Sequence, residues 1–246
     1  MKVAVLGATG GMGRAVARRL VERGDAVFLL GRDERELVRS AADLKQRHPA
    51  RLDVGFALCD LERPEGFVPA LDAADAALGG FDTVVLTAAM FATQAALEAD
   101  ADLARRLLTV NFANTVVFCE LARARLLARG GGRLVVFSSV AGDRGRKPVV
   151  LYGSSKAGLS AYLEGLDHKF HAAGLRVVCV KPGFVRTSMT VGLKPPPFAG
   201  EPAGVARDVV RAMDRGKPVV YTPGIWALVM MVIRSLPRFV MRKIGF

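Results

Sequence analysis

The sequence predicts a single α/β domain built on a doubly wound parallel sheet. Three observations lead there. Short apolar runs rich in Val and Leu alternate with amphipathic stretches of helical spacing from residue 2 to residue 183, the pattern of successive βα units joined by right-handed crossovers. A glycine-rich turn, GATGGMG at residues 7–13, lies between the first apolar run and the first helix. The residue types able to do chemistry fall at the carboxyl ends of the apolar runs, which is where open α/β sheets bind ligands.

The composition agrees. The chain has 246 residues, 51% apolar and 24% charged, enough for one large domain with a full core and too apolar for disorder. Cys59, Cys119 and Cys179 are widely spaced and odd in number, which fits buried thiols in a reducing compartment and gives neither a disulfide framework nor a metal site. The N-terminus, MKVAVLGATGG, has no long apolar segment or cleavage signal, so a cytoplasmic protein is expected. The net charge of +12 is uneven: residues 140–246 hold 17 Lys and Arg against 6 Asp and Glu. Such an excess fits an anionic substrate, a phosphorylated cofactor or a membrane surface, or a merely basic solvated face. No nucleic-acid-binding motif accompanies it, so nucleic acid is not expected.

Taken in order, residues 2–6 form a strand, the glycine turn follows, and residues 14–24 form a helix through Ala15, Val16, Leu20 and Val21. Gly7, Gly11 and Gly13, with Thr9 and Met12 between them, give a tight turn that brings backbone N–H groups against a pyrophosphate at a helix N-terminus. Dinucleotide binding is therefore expected. Residues 26–30, 33–47 and 52–59 read as strand, helix and strand. Gly31-Arg32 ends the second strand where an NAD-specific site usually has an acid, so a guanidinium there favours the 2′-phosphate of NADP, while the adjacent Asp33 keeps NAD open. Asp60-Leu61 ends the third strand. Residues 64–79 read as a helix, 81–90 contain a buried strand, and 101–129 form one long helix with Asn111 and Asn114 in an apolar section. A buried amide needs partners. Residues 130–142 give a glycine break, a strand and a loop; 152–174 a helix; and 175–183 a strand ending in Pro182-Gly183.

Tyr152 and Lys156 are four apart and share a helix face. An ammonium beside a phenol favours the phenolate, which makes the tyrosine an acid or base at neutral pH. Ser139 adds a hydroxyl donor.

These motifs, GATGGMG, DL at 60–61, Asn111, SS at 138–139, YGSSK at 152–156 and KPGFVRT at 181–187, resemble those of the short-chain dehydrogenase/reductase family over nearly the whole chain. The resemblance implies a seven-stranded parallel sheet of Rossmann type flanked by helices. It implies an NADPH- or NADH-dependent oxidoreductase in which Tyr152 is the general acid, Lys156 lowers its pKa and binds the nicotinamide ribose, Ser139 polarises the carbonyl and Asn111 holds a relay water. Pro182, Gly183, Val185 and Thr187 would shape the nicotinamide pocket, and Asp60 would meet the adenine. A dimer or tetramer is the family habit. Two departures affect cofactor geometry: Leu6 stands for the usual threonine, and residues 87–90 read TAAM for NNAG.

The C-terminal half, in SSVAGDRGRK, KPGFVRTSMTVGLKPPPFA and WALVMMVIRSLPRFVMRKIGF, is similar to the decaprenylphosphoryl 2-keto-ribose reductases. That likeness implies a ketose carried on a polyprenyl phosphate; a soluble acyl, polyketide or steroid-like ketone is the alternative, and a non-catalytic dinucleotide sensor a third. Residues 1–224 are expected to form the catalytic domain and 225–246 an apolar, basic tail of the same domain. Residues 225–233 are too short to span a bilayer, and Arg234, Arg238 and Arg242 follow with no acid after Asp214. Such a segment rests on an anionic membrane, at its inner face, or packs on the domain or on a sister subunit.

Overall fold

The computed structural model describes residues 1–47 and 54–245. In chain order the elements are β1 (Lys2–Leu6), α1 (Gly11–Arg23), β2 (Ala26–Gly31), α2 (Glu34–Arg47), β3 (Phe56–Leu58), α3 (Phe67–Leu78), β4 (Thr83–Leu86), α4 (Gln94–Ala99), α5 (Ala101–Leu108), α6 (Thr115–Ala128), β5 (Gly132–Phe137), α7 (Val150–Phe170), β6 (Leu175–Pro182), α8 (Pro202–Arg215), β7 (Val219–Thr222), α9 (Ile225–Ser235) and α10 (Arg238–Lys243). The seven strands form one parallel sheet in the order β3-β2-β1-β4-β5-β6-β7.

The strands are apolar at nearly every position because both faces are covered. Side chains alternate across a strand, so Ala4, Leu6, Val84, Leu86, Leu134 and Val136 pack with Phe67, Phe118 and Leu159 of α3, α6 and α7. Val3, Val5, Val85, Val135 and Phe137 pack on the other side with Val16, Leu20 and Val209 of α1 and α8. All three cysteines are free and buried.

The chain leaves β1 towards β2 and β3 on one side and then returns to place β4 on the other. The crevice between the ends of β1 and β4 is where such a sheet holds a ligand. Leu6 pairs with both Leu30 and Leu86, so the turns after β1, β2 and β4 open side by side.

Three expectations change. The strand expected at 52–59 is observed over Phe56–Leu58, with residues 52 and 53 outside the described residues. The single helix expected at 101–129 is broken into α5 and α6 by a π-helical turn at Thr109–Asn114. The reason is side-chain bonding: Asn111 reaches across to Met90 and Asn114 Nδ2 donates to Leu61 O at 2.6 Å, and π turns commonly mark such sites. Finally, α4, α8 and β7 are elements that the residue pattern alone does not predict; the seventh strand was expected only through the family resemblance.

Candidate active site

The glycine turn lies in a cleft of about 420 Å³, bordered also by Gly31, Arg32, Asp60, Leu61, residues 87–91 and Thr187. A nicotinamide dinucleotide fits this cradle because there is backbone where side chains would otherwise stand. A Cβ on Gly13 would lie 2.1 Å from Gly7 O, and one on Gly7, whose φ is +87°, would lie 2.5 Å from Ala88 N. Helix α1 has Gly10 as its N-cap, with no side-chain cap, which leaves first-turn N–H groups for an anion. Thr187, arriving from the loop after β6, lies against the turn: a Cβ on Gly11 would meet its Cγ2 at 2.9 Å. Met12 lines the same cleft. Thr9 O accepts from Arg14 Nη2 at 3.1 Å, and Arg14 also pairs with Glu36 at 2.9 Å, which ties α1 to α2.

Arg32 stands just past β2 with its side chain 71% exposed, and its nearest carboxylate, Glu62, is 3.9 Å away. Asp33 is already engaged, because its Oδ1 accepts from Glu36 N at 3.1 Å at the start of α2, as an N-cap does. Glu62 was not anticipated; Arg106 grips both its oxygens at 2.6 and 2.7 Å and holds its carboxyl below the usual range. Asp60 Oδ1 accepts from Glu62 N at 3.0 Å and so shapes this rim.

The departure at residues 87–90 finds a substitute in Thr87. Its hydroxyl lies 3.1 Å from both Leu6 O and Gly7 O, binding the end of β4 to the end of β1. Asn111, fully buried, accepts from Met90 N at 2.7 Å and donates to Met90 O at 2.8 Å. The Asn111 side chain is a clamp on the segment after β4. Asn111→Ala leaves both Met90 groups without partners and lowers stability by about 2–3 kcal/mol, measured as a lower urea midpoint; an unchanged midpoint contradicts the clamp.

Ser139, Tyr152 and Lys156 come together where β5 meets α7. Ser138 Oγ donates to Lys156 O at 2.9 Å and lies 2.7 Å from Ser160 Oγ, locking the strand end to the helix. Ser139 Oγ accepts from Ala141 N at 3.1 Å and has a long contact of 3.5 Å to Pro182 O. Lys156 is buried, donates from Nζ to Phe137 O at 2.9 Å, and lies 5.9 Å from the centre of the Tyr152 ring. The other neighbour of that ring, Phe91, packs edge-on at 5.3 Å. Nothing in the sequence pattern singled it out.

The ionisation expected for this pair is corrected. Burial pushes the Tyr152 hydroxyl up to about 12, and the neighbouring Ser139 hydroxyl acts the other way. Burial also lowers the Lys156 ammonium to about 8, against a smaller raising effect of Cys179. With the ammonium committed to a carbonyl, desolvation outweighs charge attraction. Tyr152 is therefore a neutral phenol through the physiological range, the form that donates a proton.

Pro182 and Gly183 end β6 against the tail. A Cβ on Gly183 would fall 2.1 Å from Trp226 Nε1 of α9, so the indole lies directly on this glycine. Trp226 also donates to Phe198 O at 3.3 Å. Trp226, Met230 and Ile233 form a separate apolar cluster with Val140, the residue after Ser139. Val185 is buried and bridges to Gly200. Thus the inner face of α9 packs on the domain, whereas Leu228, Met231 and Val232 are exposed.

Comparison with known proteins agrees with this geometry. An uncharacterized oxidoreductase of Mycobacterium tuberculosis is 35% identical over 243 residues, 98% of this chain and 96% of that protein. The carbonyl reductase family member 4 of Xenopus tropicalis is 30% identical over 220 residues, 86% of this chain and 90% of its own. A short-chain type dehydrogenase/reductase structure from Mycobacterium ulcerans superposes with a TM-score of 0.82 at 21% identity, covering 98% of this chain and 97% of that one. The family profile described as short chain dehydrogenase matches residues 1–196. With glycine cradle, phenol and ammonium assembled at the carboxyl ends of the central strands, the chain belongs to the short-chain dehydrogenase family and is an NAD(P)-dependent oxidoreductase.

Proposed function

We propose that the chain is an NADPH-dependent carbonyl reductase in which Tyr152 gives the proton. What supports this reading above all is the convergence of Ser139, a neutral Tyr152 and a buried Lys156 beside the glycine cleft. The glycine turn at Gly7–Gly13 and Thr187 would hold NADPH in that cleft, and the cofactor, when bound, would supply the hydride for the carbonyl carbon. The Tyr152 hydroxyl passes its proton to the carbonyl oxygen, Ser139 donates a hydrogen bond to the same oxygen, and the Lys156 ammonium stabilises the phenolate left behind. The name of the Xenopus relative supports reduction of a carbonyl.

NADPH is favoured over NADH because Arg32 is exposed and only loosely paired while Asp33 is spent on capping α2. Arg32→Ala raises the KM for NADPH by about 10–100-fold, the worth of a charge-assisted phosphate contact, and leaves that for NADH unchanged. Equal effects on both cofactors contradict the assignment.

For the substrate we propose a keto-sugar carried on a polyprenyl phosphate, with turnover at a membrane face. The support is the C-terminal likeness together with the outer face of α9, where Leu228, Met231 and Val232 are exposed, followed in sequence by Arg234, Arg238, exposed Phe239 and Arg242, a composition suited to an anionic bilayer surface. Among the described residues no helix is long and apolar enough to cross a membrane. Changing Leu228, Met231 and Val232 together to Ser spares the inner face that holds Trp226. The triple variant loses co-sedimentation with anionic vesicles and turnover of the lipid-linked ketose, while turnover of a short ketone persists. Undiminished lipid-ketose turnover contradicts the role of this face, and no lipid-ketose turnover by the wild type favours a soluble acyl, polyketide or steroid-like ketone.

A further inference from the structure

The loop between Ser139 and Tyr152 carries three cations, Arg144, Arg146 and Lys147, and they are not equivalent. Arg144 Nη2 donates to Leu236 O at 2.7 Å, and Lys147 Nζ donates to Arg242 O at 2.6 Å. Both fasten the loop to the tail, and both acceptors are neutral carbonyls that leave the charges uncompensated. Arg146 differs: it is half-buried, its Nε is sealed from solvent, and among the described residues its guanidinium has no hydrogen bond or ion pair.

Among the described residues the carboxylate acting on Arg146 is Asp143, and each of its oxygens already takes a hydrogen bond. Its Oδ1 accepts from Lys181 Nζ at 2.6 Å and its Oδ2 from Tyr221 OH at 2.7 Å, with the side chain 3% exposed. Lys181 and Arg146 therefore share one carboxylate, and no further acid occurs between residues 144 and 163. A guanidinium with a sealed Nε and no partner is costly, and proteins pair such groups. Burial accordingly depresses the Arg146 guanidinium from its ordinary value.

We propose that Arg146 is a substrate-binding residue that pairs with an anionic group, phosphate or carboxylate, placed several bonds from the reacting carbonyl. Arg146 precedes Tyr152 on the same stretch of backbone: a short 3₁₀ turn at Lys147–Val149 and the first residues of α7 lie between them, a backbone rise of about 10–12 Å at 1.5–2.0 Å per residue. The planar fork meets a phosphate or carboxylate with two parallel hydrogen bonds. This inference rests on the reductase reading and deepens it to a class of substrate.

The test uses matched ketones with the NADPH-loaded enzyme: dihydroxyacetone phosphate against dihydroxyacetone, and 4-oxopentanoate against its amide. The wild type is expected to favour the anionic member of at least one pair by about 10–100-fold in kcat/KM, the worth of a charged hydrogen-bond pair. The pair showing the preference tells phosphate from carboxylate. In Arg146→Met that ratio falls to about one while the neutral ketone is turned over as before; Arg146→Lys retains part of the preference. Equal wild-type rates within both pairs, or a preference untouched by Arg146→Met, overturn the proposal. If Arg146→Met fails to fold, inorganic phosphate and acetate titrated against the preferred anionic ketone in wild-type enzyme saturated with NADPH decide: competition with that ketone but not with its neutral partner supports the site, and its absence rejects it. Failure to consume NADPH with any ketone refutes the reductase reading instead.

Discussion

Tyr152→Phe lowers ketone-dependent NADPH oxidation by about 10²–10⁴-fold, the usual worth of a positioned general acid, and leaves folding and NADPH affinity intact. The ring remains to pack edge-on against Phe91 at 5.3 Å, so only the proton donor is lost. Burial keeps the hydroxyl neutral with its pKa near 12, and no other phenol lies in this pocket to replace it: Tyr162 donates to Glu120 and Tyr221 to Asp143. Stopped-flow turnover beside NADPH fluorescence titration separates the two effects. A variant that binds NADPH normally and turns over at the wild-type rate would show that the proton comes from elsewhere.

The second large effect belongs to Lys156. Lys156→Met removes a buried ammonium from beside the developing phenolate and lowers kcat/KM by about 10²–10³-fold, as removal of one preorganised electrostatic donor does. Its protonation also predicts the pH profile. The free-enzyme ammonium is lowered to about 8 and the phenol raised to about 12, so below pH 8 both are in the form reduction needs. As pH rises through about 8 the ammonium deprotonates first, and kcat/KM for reduction falls while Tyr152 is still protonated. In Lys156→Met that fall near pH 8 is absent. A wild-type profile flat from pH 7 to 10 contradicts this ordering.

Much of this architecture is written in local pattern. The alternation of Val3 and Val5 against Ala4 and Leu6 is enough to mark a strand buried on two faces, and Tyr152 and Lys156 meet because four residues make one helical turn. Long-range partners were harder to read. That Asn111 clamps Met90, twenty-one residues away, depends on the π turn that its own bonds accompany. Thr87 ties β1 to β4 from within the TAAM segment that departs from the family pattern. The expected lowering of the Tyr152 pKa was reversed because spacing shows proximity and not desolvation. Likewise the tail's basic and apolar letters are the same whether it packs or binds lipid; only the close seating of Trp226 on Gly183 shows that one face is already occupied.

The most direct test of the account follows the hydride. Wild-type enzyme supplied with NADPH deuterated at the transferable position is incubated with keto-sugars, with and without a polyprenyl phosphate, and with simple ketones, and the products are examined by mass spectrometry. The account predicts an alcohol with one deuterium on its carbinol carbon for each NADPH consumed, formed far more slowly by Tyr152→Phe. An alcohol without the label, or no ketone-dependent consumption of NADPH across the panel, would contradict it.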